Sequence, residues 1–363
     1  MGGLREALWD RRYLLAYFLV GLSIRVLYAI FGFTETHDWI NYRLPVAQQL
    51  SEGGVLYRDV PYDHMPLYPY YTALAYSIFG DSYLALMSLA ILGDALIAPF
   101  LFWRTQNHWI AGLYTVSVVS ILVTGEARWD TLALLFMLAA LTYEDDLRFS
   151  FFTAIGFCLK QFPVIAMVRL LLVLRGEKKV GDELRKVAFT VAFSAIILSA
   201  FLLCCPQEFW DNIVGHPVYQ GEVGKGAIDG SMAAIMPYWL WLPIFVAMMA
   251  VTLYTFRASN YRNTVGILVF MATFMLFVTH KHTEVLFVPF SLLLLQRSRY
   301  WIFAYLFCQY FIQLRMDHLE VANYLVPLTF VIWVALVREN VLIAKDSEER
   351  PSDILLPVDT PSS

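Results

Sequence analysis

Four polar clusters interrupt an otherwise apolar chain, and between them they hold the groups that proton transfer and anion binding require. The longest is the stretch from Thr34 to Gly80, with His37, Asp38, Asn41, Tyr42, Arg43, Asp59, Asp63 and His64. The others are Gly125-Glu126-Ala127-Arg128-Trp129-Asp130, Lys160-Gln161, and His280-Lys281-His282 followed by Glu284. A carboxylate such as Asp38 can take a proton from a hydroxyl, while Arg128, Lys160 and Lys281 can hold phosphate oxygens. Ionisable groups at membrane depth are costly, so each cluster marks either a site or an ion pair. For any one of them a structural pair or a snorkelling side chain explains as much; Lys160, for instance, could pair with Glu126 or Glu284. What favours a site is that all four fall on the same side of the membrane.

That side is set by the elements between the clusters. Of the 363 residues, 59% are hydrophobic and 15% charged, with a mean hydropathy of +0.59, which is not the composition of a soluble domain. Apolar runs at 13–33, 83–103, 109–124, 131–143, 149–160, 162–174, 187–205, 237–256, 264–279, 284–296, 300–314 and 320–337 predict an all-α polytopic membrane protein of about twelve transmembrane helices. The segment 149–174 reads equally as two short spans or one bent element. Residues 1–338 form a single membrane domain, and 339–363, acidic and rich in Pro and Ser, a disordered cytoplasmic tail.

With the amino terminus inside, cytoplasmic connections hold about twice as many Lys and Arg as the opposite ones, as the retention of cations on the cytoplasmic side requires. The 34–80 insert is then extracytoplasmic or lumenal, and far longer than a turn between spans needs. Within it, Ile40, Leu44, Ala47 and Leu50 recur at helical spacing up to Gly53-Gly54, which predicts an amphipathic helix lying on the membrane with Thr36 or Asp38 at its start. Asp38 there is either a cap or, kept ionised by the helix dipole, a base. A second interfacial helix, Leu67 to Phe79, follows Pro66.

Segment 13–33 is too long for a signal-peptide core and has no small-x-small cleavage site behind it, so it stays as an anchor. Cys158, Cys204, Cys205 and Cys308 lie in or beside apolar segments without disulfide or zinc spacing and read as packing residues. Arg25 and Asp94, both inside spans, read as a structural pair. No nucleotide-binding Gly-rich loop, fixed-period repeat, or matched pair of broken helices is present.

The order of these features resembles the GT-C superfamily of integral-membrane glycosyltransferases. Thr36-His37-Asp38-Trp39 follows the first span where that superfamily places an acid, and Pro66 to Tyr70 is similar to the run that opens its second short helix. Leu92-Gly93-Asp94-Ala95-Leu96-Ile97 looks like the next span of the endoplasmic-reticulum glucosyltransferases and of the GPI-anchor mannosyltransferase. Phe157-Cys158-Leu159-Lys160-Gln161-Phe162 is similar to the glucosyltransferases' Lys-Gln-Met motif, and His280-Lys281-His282 to their His-Glu-Lys region.

The resemblance covers about residues 10–300. It implies transfer of a hexose, mannose or glucose, from a polyprenyl- or dolichyl-phosphate donor to a lipid-linked, protein or glycan acceptor, with inversion at the sugar carbon. Asp38 would be the base. His37, Tyr42, Arg128, Lys160, Gln161, His280, Lys281 and His282 would bind substrate, with Glu126 and Asp130 as further candidates. His37-Asp38-Trp39 carries no Asp-x-Asp, so no metal and no other cofactor is expected; membrane lipids are partners and nucleic acid is not. The 206–236 loop resembles the second external loop of such enzymes. Two other readings stay open: a transporter or flippase for a lipid-linked solute, and a non-catalytic subunit that keeps the fold.

Overall fold

The computed structural model describes residues 2–32, 39–62, 64–125, 128–174, 176, 178–215, 238–255 and 261–271, with shorter stretches between 288 and 341. It is all-helical, and three of the described helices are long and apolar enough to cross a membrane: Arg11–Phe31, Tyr83–Thr105 and Val180–Cys204. The chain divides into two compact units. One comprises Met1–Ala140, Glu144–Val164 and Lys186–Tyr219; the other Leu141–Tyr143, Ile165–Arg185 and Gln220–Ser363.

In the first unit, α1 (Gly2–Phe31) packs along α4 (Tyr83–Thr105), which also meets α5 (His108–Thr115) and α7 (Asp130–Ala140). α4 is the central element: 61% of its apolar window is buried, against 17% for α1 and 22% for α10 (Val180–Cys204). The two outer helices therefore turn side chains such as Leu15, Leu19, Leu27, Val191 and Ile196 outward. On a chain this apolar, that surface suits hydrocarbon contact.

A buried ionic knot clasps α1 to α4. Arg25 Nε donates to Asp94 Oδ2 at 2.6 Å, with neither side chain more than 1% exposed. Asp94 also accepts from the hydroxyls of Tyr114 (2.7 Å), Ser120 (2.6 Å) and Thr124 (2.9 Å), and Arg25 donates to the carbonyls of Gly21 and Thr115. The apolar run 109–124 is not one helix but two, α5 and α6 (Val118–Gly125), and the break frees the Thr115 carbonyl for Arg25. Asn107 caps α5 by accepting from the backbone of Trp109 and Ile110. Where α4 crosses α7 the helices touch at Gly93, whose missing Cβ leaves room for Leu132.

The 34–80 insert folds from its own sequence. A π-turn at Trp39–Arg43 leads into α2 (Leu44–Ser51), with Pro45 in the first turn, where its missing N–H costs nothing. Of the expected apolar stripe, Ala47 and Leu50 are buried, while Ile40 faces outward on the turn. Gly53 takes φ +97°, a left-handed conformation that favours glycine, just past the helix end. α3 covers Leu67–Phe79 and stops at Gly80, also at positive φ.

α8 (Asp146–Leu159), capped by Asp145, ends at Lys160, whose backbone is extended. Pro163 cannot continue a helical hydrogen-bond ladder, and it packs so closely on Gly156 that a Cβ there would meet its ring at 3.1 Å. A 3-10 segment, Phe162–Leu170, and the single turn α9 (Leu171–Leu174) follow, so 149–174 is a broken element hinged at Lys160-Gln161. Lys186 of α10 pairs with Asp146 at 2.6 Å. α10 is followed by α11 (Pro206–Trp210) and a π-turn, Asp211–Gly215.

In the second unit, Arg169 binds both carboxylate oxygens of Glu183 at 2.9 and 3.1 Å in full burial. Thr252, on α12 (Tyr238–Thr255), receives the indole N–H of Trp333 at 3.0 Å and contacts Met271 at the end of α13 (Tyr261–Met271).

Candidate functional site

Trp129 organises the site. Its residue is 2% exposed, and its indole N–H donates to the carbonyl of Leu159 at 3.1 Å, tying the start of α7 to the end of α8. That bond brings the residues next to each partner together: Lys160 Nζ lies 2.6 Å from Asp130 Oδ1, with side chains 10% and 2% exposed. Asp130 is the first residue of α7, where the positive end of the helix dipole favours its negative charge. Burial opposes the Lys160 charge, Asp130 supports it, and the charges of Arg128 and Arg43 oppose it more weakly.

Arg43 comes from the insert. Its guanidinium carbon stands 4.0 Å from the centre of the Trp129 ring, a cation–π contact, and one terminal nitrogen donates to the Tyr62 hydroxyl at 3.0 Å. Its Nε is buried and makes no hydrogen bond among the described residues. Tyr68, on the first turn of α3, lies flat against Trp129, with centroids 4.3 Å apart and planes within 10°, and its own hydroxyl is engaged by the Leu86 carbonyl. His64 meets Trp129 edge-on at 5.8 Å and Tyr62 at 5.6 Å. Trp39, Arg43, Tyr62, Tyr68, Thr72 and Trp129 enclose a cavity of about 10 Å³, room for about one water.

The loop ahead of α3 is held rigidly enough to aim these groups. Tyr57 sits at φ +72°, unusual for a residue with a side chain; its ring is wedged edge-on against Phe201 and Phe209, and its hydroxyl donates to the His64 carbonyl at 2.8 Å. Burial pushes that phenol up, so it stays a donor. At the exposed rim, the Arg58 guanidinium and the Val55 N–H hold the Asp59 carboxyl down at about 2. Trp39 anchors the start of the insert by stacking edge-on with Tyr83, whose hydroxyl donates to the Gly125 carbonyl at 2.8 Å.

No family model matches this chain, and neither does any curated protein or any solved structure. The site must be read from its own residues. Of the candidates named from sequence, Arg128, Asp130 and Lys160 converge. Gln161 is half-buried beside them, and Tyr42 is exposed, outside the buried cluster. His37, Asp38, Glu126, His280, Lys281 and His282 lie outside the described residues, as do 216–236 of the second loop and nearly all of the tail. Among the described residues Lys160 pairs with Asp130, thirty positions upstream; Glu126 and Glu284, the expected partners, lie outside them. Among the described residues no three His, Cys, Asp or Glu side chains gather as metal ligands.

Tyr62 and Tyr68 were not expected at the site, and Arg43, His64 and Trp129, though members of the polar clusters, were given no role of their own. One signal did point to Arg43: it is the only Lys or Arg between Thr34 and Tyr57, in an insert expected on the side of the membrane where cations are scarce.

Proposed function

We propose that this chain is an integral-membrane glycosyltransferase of GT-C type, with about twelve spans, that moves a hexose, mannose or glucose, from a polyprenyl- or dolichyl-phosphate donor to an acceptor hydroxyl outside the cytoplasm. The observation that carries this reading is the gathering of Lys160, Arg128 and Arg43 around Trp129 at the ends of α7 and α8. Cations concentrated in a largely buried place suit a phosphate, and the low dielectric there strengthens their hold.

In such a transfer the acceptor O–H bond breaks and its proton passes to a carboxylate, the role proposed for Asp38. The acceptor oxygen bonds to the sugar's anomeric carbon as the bond from that carbon to the phosphate oxygen breaks. The electron pair leaves with the polyprenyl phosphate, which gains one negative charge. Lys160, Arg128 and Arg43 would stabilise that charge as it develops, so their contribution is larger in the transition state than in the bound donor. A single displacement inverts the sugar carbon. Donor entry from the bilayer accounts for a chain built almost wholly of membrane segments, in a prokaryotic plasma membrane or the endoplasmic reticulum.

The state of Arg25 and Asp94 counts against a transporter. A translocation path needs ionisable groups that can exchange partners with a solute. These two are instead dry and bonded to each other and to three hydroxyls. The test is transfer of radiolabelled sugar from mannosyl- and glucosyl-phosphoryl polyprenol in membranes containing the protein. Label recovered in a new glycoside supports the reading, and intact donor carried across the membrane without cleavage replaces it with transport.

A further inference from the structure

Trp129 has more bonded to it than packing requires. One ring holds Arg43 at 4.0 Å and Tyr68 at 4.3 Å, while its N–H fixes Leu159, so the residues on either side of these contacts, Asp130 and Lys160, face each other. Arg43 keeps a buried Nε from which none of the described residues accepts. A guanidinium on an aromatic platform, with a free donor and a second cation nearby, is an arrangement that binds phosphate oxygens in fixed orientation. The Lys160 ammonium is already occupied, however, by a carboxylate at ion-pair distance.

Resting on the reading of a lipid-phosphate donor, we propose that Arg43 and Lys160 are the two arms of one phosphate seat built across Trp129, and that Asp130 is its internal occupant, displaced from Lys160 when the phosphate arrives. Trp129 is a positioning residue, since it holds Arg43 and the Leu159 carbonyl next to Lys160, and not the phosphate. Asp130 keeps a buried ammonium from standing unpaired between turnovers, which would be strongly destabilising. It stands at the amino end of α7, where the helix dipole favours a carboxylate. The occupant also sets specificity: a neutral prenyl alcohol cannot displace a carboxylate, whereas a phosphate ester can.

The test is equilibrium binding of farnesyl phosphate to the purified full chain in nanodiscs, with farnesol and inorganic phosphate as controls and the melting temperature read on each sample. Wild type should bind farnesyl phosphate and not farnesol. Arg43→Gln should weaken binding by about tenfold or more at an unchanged melting temperature, and Arg43→Lys should not restore it, because an ammonium lacks the planar face that Trp129 holds. Asp130→Asn should bind several-fold more tightly, having lost the competing anion. If that variant does not fold, Asp130→Asn combined with Lys160→Gln removes both charges and should bind about tenfold more weakly than wild type.

Wild-type affinity in Arg43→Gln, weaker binding in Asp130→Asn, or wild-type affinity in the double variant each overturns the seat. Inorganic phosphate that competes as well as the prenyl ester overturns the lipid source. Sugar transfer is not read in this assay, so its absence would end the enzyme reading and leave the seat standing.

Discussion

Replacing Asp94 by Leu should unfold the first unit well before it changes any binding. The carboxylate accepts from Arg25, Tyr114, Ser120 and Thr124 with no exposure to solvent, so the substitution strands a buried guanidinium and three hydroxyls at once. Removing one partner of a buried ion pair costs about 3–5 kcal/mol. At about 2 °C per kcal/mol for a unit of this size, the melting temperature in nanodiscs should fall by about 6–10 °C. Tyr114→Phe removes one hydroxyl and should cost about 0.6 kcal/mol, close to the mean for such bonds inside membranes. The double variant Arg25→Met with Asp94→Leu removes both charges and leaves only the hydroxyls, so it should recover most of the loss. The measurement is thermal unfolding followed by tryptophan fluorescence, with farnesyl phosphate affinity taken on the folded fraction. A single variant that melts within 2 °C of wild type, or a double variant no better than the single, would refute the argument that this pair is a closed structural clasp.

Asp38→Asn keeps size and capping ability but loses proton affinity, so it should abolish sugar transfer while leaving farnesyl phosphate binding in place; wild-type turnover would remove Asp38 from the mechanism. Gly93→Val should destabilise by about 1–3 kcal/mol, because even a Cβ at this position would stand 2.6 Å from Leu132 Cδ1 and 3.1 Å from its Cα; an unchanged melting temperature would mean that α4 and α7 do not pack as described. Single cysteines at Glu35 and Thr283 should react with an impermeant thiol reagent from outside and one at Val180 should not, in a background lacking Cys158, Cys204, Cys205 and Cys308. Labelling at position 180 in intact cells would reverse the orientation.

Local signals carried the local structure. Pro66 and Gly80 bracket α3, Gly53 follows the end of α2, and Pro163 breaks the chain at Lys160-Gln161, because each of these residues acts through its own backbone. The pairing of Arg25 with Asp94 was also legible, since two opposite charges inside spans have little alternative to each other. The partner of Lys160 was not. Asp130 lies thirty positions from Lys160, and it is the register of α7 against α8, fixed by the indole of Trp129 on the Leu159 carbonyl, that brings the two together. Arg43 was missed for the same reason: its platform lies eighty-six positions away, and no periodicity records a contact of that kind. Run lengths were the weakest guide, because an apolar stretch such as 109–124 says nothing of the break at Val116 that gives Arg25 a carbonyl.

The clasp of Arg25 also bears on how the protein is made. Arg25 leaves the ribosome sixty-nine residues ahead of Asp94, so at about 5–20 residues per second the first helix waits roughly 3–14 s for its counter-ion. An arginine near the middle of a lone helix costs about 2.5–3.5 kcal/mol to insert. Until α4 arrives, only the Gly21 carbonyl, one turn back on the same helix, can share the charge. α1 should therefore linger beside the insertion machinery, or sit shallow with Arg25 reaching toward water, and sink to its final depth only in company with α4. A nascent chain halted before residue 83 should leave α1 extractable by alkali, and one halted after α4 has emerged should not.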